Sequence, residues 1–87
     1  MAKYRKKPVI IEAVQLTHDN LQFLWDWMGD SYKSHRQCGE TGFLEMDVKT
    51  LEGEHLASKN DFIIKGVKGE FYPCKPDIFN MTYEVVE

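Results

Sequence analysis

Eighty-seven residues are enough for one domain and too few for two independent cores. With 43% hydrophobic and 29% charged residues, the composition is that of a globular chain and excludes a disordered one. The formal net charge of −3 excludes a uniformly basic nucleic-acid binder but hides an asymmetry.

Lys3, Arg5, Lys6 and Lys7 place four of the eleven basic residues in the first seven positions. The remaining positions hold seven basic against fourteen acidic residues, a balance of −7. A basic arm (1–7) thus precedes an acidic body. The arm reads as a loosely held terminus or as a small electrostatic foot for phosphate or an acidic partner.

Val9-Ile10-Ile11-Glu12-Ala13-Val14-Gln15-Leu16 follows Pro8 and is rich in β-branched residues. It reads as a strand. Apolar residues on both alternate sets predict a central strand covered on both faces. The run is far too short to span a membrane, and no apolar signal segment is read before it.

Thr17-His18-Asp19-Asn20 offers helix N-cap oxygens, and Leu21, Leu24, Trp25 and Met28 recur at helical spacing before Gly29. At ~100° per residue, Phe23 and Trp27 fall beside this stripe and widen the apolar arc to roughly 200°. Gln22 and Asp26 hold the polar side. Either two surfaces cover this helix, or Phe23 and Trp27 stand exposed as anchors for a partner.

Residues 30–42, DSYKSHRQCGETG, are polar and glycine-punctuated and read as a long surface loop. Phe43–Val48 alternates, with Leu44, Met46 and Val48 on one face, as a half-buried antiparallel strand does. Glu52-Gly53 turns the chain into Glu54–Ser58, Lys59-Asn60-Asp61 into Phe62–Lys65, and Gly66–Gly69 into Glu70–Lys75. Pro76-Asp77 starts a short helical turn through Asn80, and Tyr83–Val86 reads as a closing strand. The whole is a single domain (1–87) of the α+β class. It is expected as a small antiparallel, strongly curved sheet or partly open barrel packed on one main helix.

The constellations that carry chemistry are weak. His35-x-x-Cys38 has a plausible zinc spacing, with Cys74, His18 or His55 elsewhere, but structural zinc draws on two close ligand pairs and only one is present. Cys74 beside Lys75 lacks a base, and alternation along a strand turns the two side chains apart. Cys38 and Cys74 are therefore read as free thiols of a reducing compartment. Glu45/Asp47 and Glu52/Glu54 sit on solvated faces or turns, where acid–base catalysis finds no cleft. Gly66-x-x-Gly69 has no following helix to hold a phosphate. Lys65, Lys68 and Lys75, beside Phe71 or Tyr72, make a modest basic strip for an anionic ligand or a single strand. No catalytic residue, metal or cofactor is implied.

Two segments resemble a family of small bacteriophage and prophage proteins. One is Tyr4-Arg5-Lys6-Lys7-Pro8-Val9-Ile10-Ile11-Glu12-Ala13. The other runs from Asp61 to Cys74 and continues as Pro76-Asp77-Ile78-Phe79 and Tyr83-Glu84. In that group the second motif commonly begins Pro-Gly-Asp-aromatic; here Lys59-Asn60 replaces Pro-Gly, a departure in turn chemistry. The resemblance implies a setting, the cytoplasm of an infected or lysogenic bacterium, and carries over no site residue. The expected role is a non-enzymatic phage accessory protein that binds a host or phage protein through Phe23 and Trp27 and inhibits or modulates it. Self-association as a homodimer would use the same face. The alternatives are a small-ligand or nucleotide binder using Lys65, Lys68 and Lys75, and a weak nucleic-acid binder.

Overall fold

The computed structural model describes residues 1–5 and 7–86; Lys6 of the basic arm lies outside the described residues. Among these, the elements run β1 (Glu12–Gln15), α1 (Leu21–Met28), β2 (Tyr32–Cys38), β3 (Phe43–Thr50), β4 (Gly53–Ser58), β5 (Phe62–Lys65), β6 (Phe71–Cys74) and α2 (Pro76–Thr82). A short 3-10 turn, Gly29–Ser31, joins α1 to β2. The architecture is α+β, and every strand pairing is antiparallel. The strands divide into two three-stranded sheets, ordered β1-β5-β6 and β2-β3-β4, and do not close into a barrel.

Alternation builds the β2-β3-β4 sheet. Leu44, Met46 and Val48 are buried on one face of β3, and Ala57 of β4 lies opposite Met46 on that same face. The other face carries Glu45, Asp47 and Lys49 toward solvent, paired across β4 with Ser58, Leu56 and Glu54. The buried row meets Ile63 and Phe71 of the other sheet, and Leu16, Leu24 and Met28 complete this core. Each such aliphatic side chain contributes roughly 1.5–3 kcal/mol by leaving water.

The β1-β5-β6 sheet is built differently. Ile63 faces the shared core, whereas its neighbour Ile64 is equally buried on the opposite face. Alternation puts Phe62 and Tyr72 on that second face with Ile64. There α2 covers them. Phe62 stacks on Phe79 with ring centroids 3.9 Å apart, and Tyr72 hydrogen-bonds Tyr83 just past the helix.

Three expectations need correction. The central strand covered on both faces is β5, not the Val9–Leu16 run; β1 is an edge strand, and Val9 and Ile10 are exposed. A short β-branched run looks alike in either place, and only its pairing partners decide. Residues 30–42 are not a loop, because Tyr32–Cys38 pairs along β3 from Tyr32↔Val48 to Cys38↔Phe43, with a bulge after Tyr32. A polar strand is legible only through its partner, since its own outward face needs no apolar residue. Tyr83–Val86 forms no strand; α2 extends to Thr82, and the Tyr83 ring lies beside Phe79 over the sheet.

The crossing from one sheet to the other runs through Lys59-Asn60-Asp61. Asn60 holds φ +75°, the left-handed region that Gly takes freely and Asn tolerates best among other residues. Asn therefore suits this turn position. Asn60 N–H donates to Leu16 O at 2.8 Å, and Leu16 N–H donates to Asp61 O at 2.8 Å. Asp61 is buried, accepts from Ser58 N–H at 2.8 Å and pairs with Lys75 Nζ at 2.9 Å.

Candidate functional site

The helix α1 is intrinsically weak. It spans eight residues, lacks a side-chain hydrogen bond at its N-terminus and carries no basic residue in its last turn. Isolated helices of this length are marginal in water. Asn20 stands at the N-cap position, but its side chain ties the preceding loop together instead: Oδ1 accepts from Thr17 N–H at 3.0 Å and Nδ2 donates to Gln15 O at 2.6 Å. What holds α1 is burial of Leu24 and Met28.

Around that buried stripe stand three aromatic residues with different fates. Trp27 is half-buried, edge-on to Phe71 with centroids 4.9 Å apart, and Phe23 stacks on its other side at 5.9 Å. Trp25 leans on Tyr32 at 5.4 Å, and the Tyr32 hydroxyl bonds His35 Nδ1. Phe23 is 54% and Trp25 59% exposed. Phe23 and Trp27 thus lie side by side, but Trp27 is mainly a packing residue, and Trp25, which helical spacing puts in the apolar stripe, stands exposed. From the centre of the Leu21/Leu24/Met28 stripe, Trp25 lies about 70° to one side and Trp27 about 90° to the other. Periodicity cannot rank them. Phe71 waits on the Trp27 side, and that contact decides.

Between the exposed rings, the solvent side of α1 carries Gln22 and Asp26, with Gln22 Nε2 donating to Asp26 Oδ1 at 3.3 Å. The outward face therefore reads aromatic, amide, carboxylate, aromatic. Its rings are braced by partners on both flanks, which limits the rotamer entropy lost on binding.

The basic strip does not assemble. Lys75 is engaged by buried Asp61, Lys65 lies over the Phe71 ring at 6.0 Å, and Lys68 sits in the β5–β6 turn. Four residues of strand, about 13 Å, separate the position opposite Lys65 from Lys75. The nearby cleft of about 450 Å³ runs between the β3–β4 turn and β6 and is walled by Glu52, His55, Glu70 and Phe71. Two carboxylates make it a poor receptacle for a phosphate.

The other candidates resolve into structure. His35 and Cys38, three apart on a regular strand, point to opposite faces of β2. His18 bonds Gln37 Oε1 at 3.0 Å and Gly42 O at 3.2 Å, pinning the loop before α1 to the β2–β3 hairpin. Among the described residues no three His, Cys, Asp or Glu side chains are grouped to hold a metal. Asp47 accepts from Arg36 Nη1 at 2.8 Å and from Ser34 Oγ at 2.7 Å, and the Arg36 hydrogen bond holds its carboxyl below the usual carboxylate range. Arg36 also reaches Glu45 at 3.4 Å. These groups form an exposed cross-strand network.

The thiols differ. Cys38 is exposed, and hydrogen bonding with the Thr41 side chain lowers its pKa. Cys74 is half-buried and its Sγ points to Lys75 O at 3.6 Å; burial, then the nearby Asp61 and Asp77 charges, raise it. Lys75, spent on Asp61, gives Cys74 no help as a nucleophile.

Comparison with protein-family models, curated proteins and solved structures finds no match to this chain. Among the described residues no helix is long and apolar enough to cross a membrane.

Proposed function

We propose that this chain is a non-enzymatic binding protein that engages a host or phage protein through the outward face of α1 and modulates that protein's activity. The observation that carries the reading is the exposure of Phe23 and Trp25 on a helix held by only a few buried residues. Exposed aromatic surface does nothing for the stability of so short a helix, whereas braced aromatic anchors dominate interface energetics. The phage setting and the cytoplasmic location rest on the two motif segments alone.

The test is quantitative capture from a bacterial host with the wild-type chain and with Phe23→Ala/Trp25→Ala, followed by reconstitution with the purified partner. A partner retained by the wild type, lost by the variant and bound directly in reconstitution supports the reading. An identical captured set for both chains removes it. Trp27→Ala is the poorer probe, because its contact with Phe71 makes it a packing substitution.

A further inference from the structure

We infer that the segment received by the α1 face is a Lys/Arg-rich peptide stretch of the partner protein, its cations seated on Asp26 between the Phe23 and Trp25 rings; this rests on α1 being the interaction face. From Thr17 to Tyr32 the chain holds Asp19, Asp26 and Asp30 and no lysine or arginine. The C-terminal end of a helix carries partial negative charge and favours cations. Here that end carries Asp26 in the last turn, Asp30 just beyond, and no basic residue. The cation that this arrangement favours is therefore missing from α1 itself.

Aromatic faces select the same charge. A guanidinium or ammonium over Trp or Phe is attracted by the ring quadrupole, and an arginine can bond a carboxylate while its plane rests on a ring. Asp26 accepts from Gln22 through Oδ1, which leaves lone pairs of the carboxylate open outward. An acidic or phosphorylated partner on this face would meet the Asp26 carboxylate and no lysine or arginine of α1. Charge complementarity thus favours a basic segment over an acidic one, and a purely apolar segment would leave Asp26 desolvated and unpaired.

The experiment titrates the ¹⁵N-labelled chain with a short peptide of alternating arginine and serine, using a glutamate–serine peptide as control. The expected result is movement of the Trp25 indole N–H and of the α1 amides, with smaller movement at the Trp27 indole. Binding should weaken about tenfold from low to physiological salt, as screening of exposed charge pairs requires. Asp26→Asn should weaken it about fivefold and Phe23→Ala/Trp25→Ala about tenfold or more, each with an otherwise unchanged spectrum. Glu52→Gln/Glu54→Gln, on the other acidic surface, should leave it unchanged.

Shifts centred on the β3–β4 turn, equal response to the glutamate peptide, or indifference to Asp26→Asn would overturn the inference. So would concentration-dependent dimerisation abolished by Lys3→Ser/Arg5→Ser/Lys7→Ser, because the face would then be occupied by the arm of a second copy. If the capture experiment yields an α1-dependent partner while the arginine peptide fails, the charge assignment falls and the interaction face stands. If both fail, the face itself is wrong.

Discussion

The two sheets use the same pairing rules and bury themselves in different ways. In β3, burial stops at every second residue, and the alternate side chains Glu45 and Asp47 form a solvated ladder with Arg36 of β2. In β5, consecutive residues Ile63 and Ile64 are both inaccessible, one against the shared core and one beneath α2. The β1-β5-β6 sheet is therefore an inner layer and the β2-β3-β4 sheet an outer one. A covered layer constrains nearly every side chain, whereas an outer layer leaves half of them free to vary and to meet partners.

The largest expected effects test this contrast directly. Ile63→Ala and Ile64→Ala should each destabilise the protein by about 2–4 kcal/mol, measured by urea unfolding. In β3 the same adjacency should split, with Met46→Ala severe and Asp47→Ala within about 1 kcal/mol. An Ile64→Ala chain as stable as the wild type would show that α2 does not seal the inner sheet.

The turn that joins the layers comes next. Asp61→Ala removes the acceptor of Ser58 N–H and Lys75 Nζ from a buried position, and should be destabilising by about 2–3 kcal/mol. Asn60→Gly should be neutral or mildly stabilising, whereas Asn60→Ala should be destabilising by about 1 kcal/mol at φ +75°. Equal stability of the glycine and alanine variants would contradict the left-handed turn.

A smaller effect probes the α2 seam. Burial and the hydrogen bond to Tyr83 push the Tyr72 hydroxyl up to about 12. The folded state then keeps a proton that the unfolded state loses at the ordinary tyrosine value near 10. Unfolding releases that proton, so this contribution is full below about pH 10 and falls as pH rises toward 12. Alkaline unfolding curves should show Tyr72→Phe losing less stability than the wild type across that window. Parallel curves would place Tyr72 outside the seam.

The smallest effect is chemical. Near neutral pH a thiol reagent should modify exposed Cys38 well before half-buried Cys74, in line with the opposite directions of their pKa shifts. The reverse order, followed by mass spectrometry, would invert the assignment of outer and inner positions.

Much of this molecule was legible from the chain alone. The alternation of Leu44, Met46 and Val48, the glycine turns and the stripe of Leu24 and Met28 each belong to one element and depend on its own period. β2 was not legible, because TyrLysSerHisArgGlnCys at Tyr32–Cys38 becomes a strand only by pairing with β3. The aromatic pattern of α1 was half legible: periodicity set Phe23 and Trp27 beside the buried stripe and put Trp25, which is 59% exposed, within it.

By itself the sequence determined the α+β class, most turn positions, the buried face of β3 and the acidic character of the helix segment, all of them local properties of residue type and spacing. Only the tertiary structure decided that the strands form two layers, that β5 is central, that Lys75 is spent on Asp61 and that Trp25 rather than Trp27 faces outward. Each of those outcomes depends on which distant residue occupies the neighbouring space. A helical or strand period specifies a direction from the backbone, and only packing specifies what stands there.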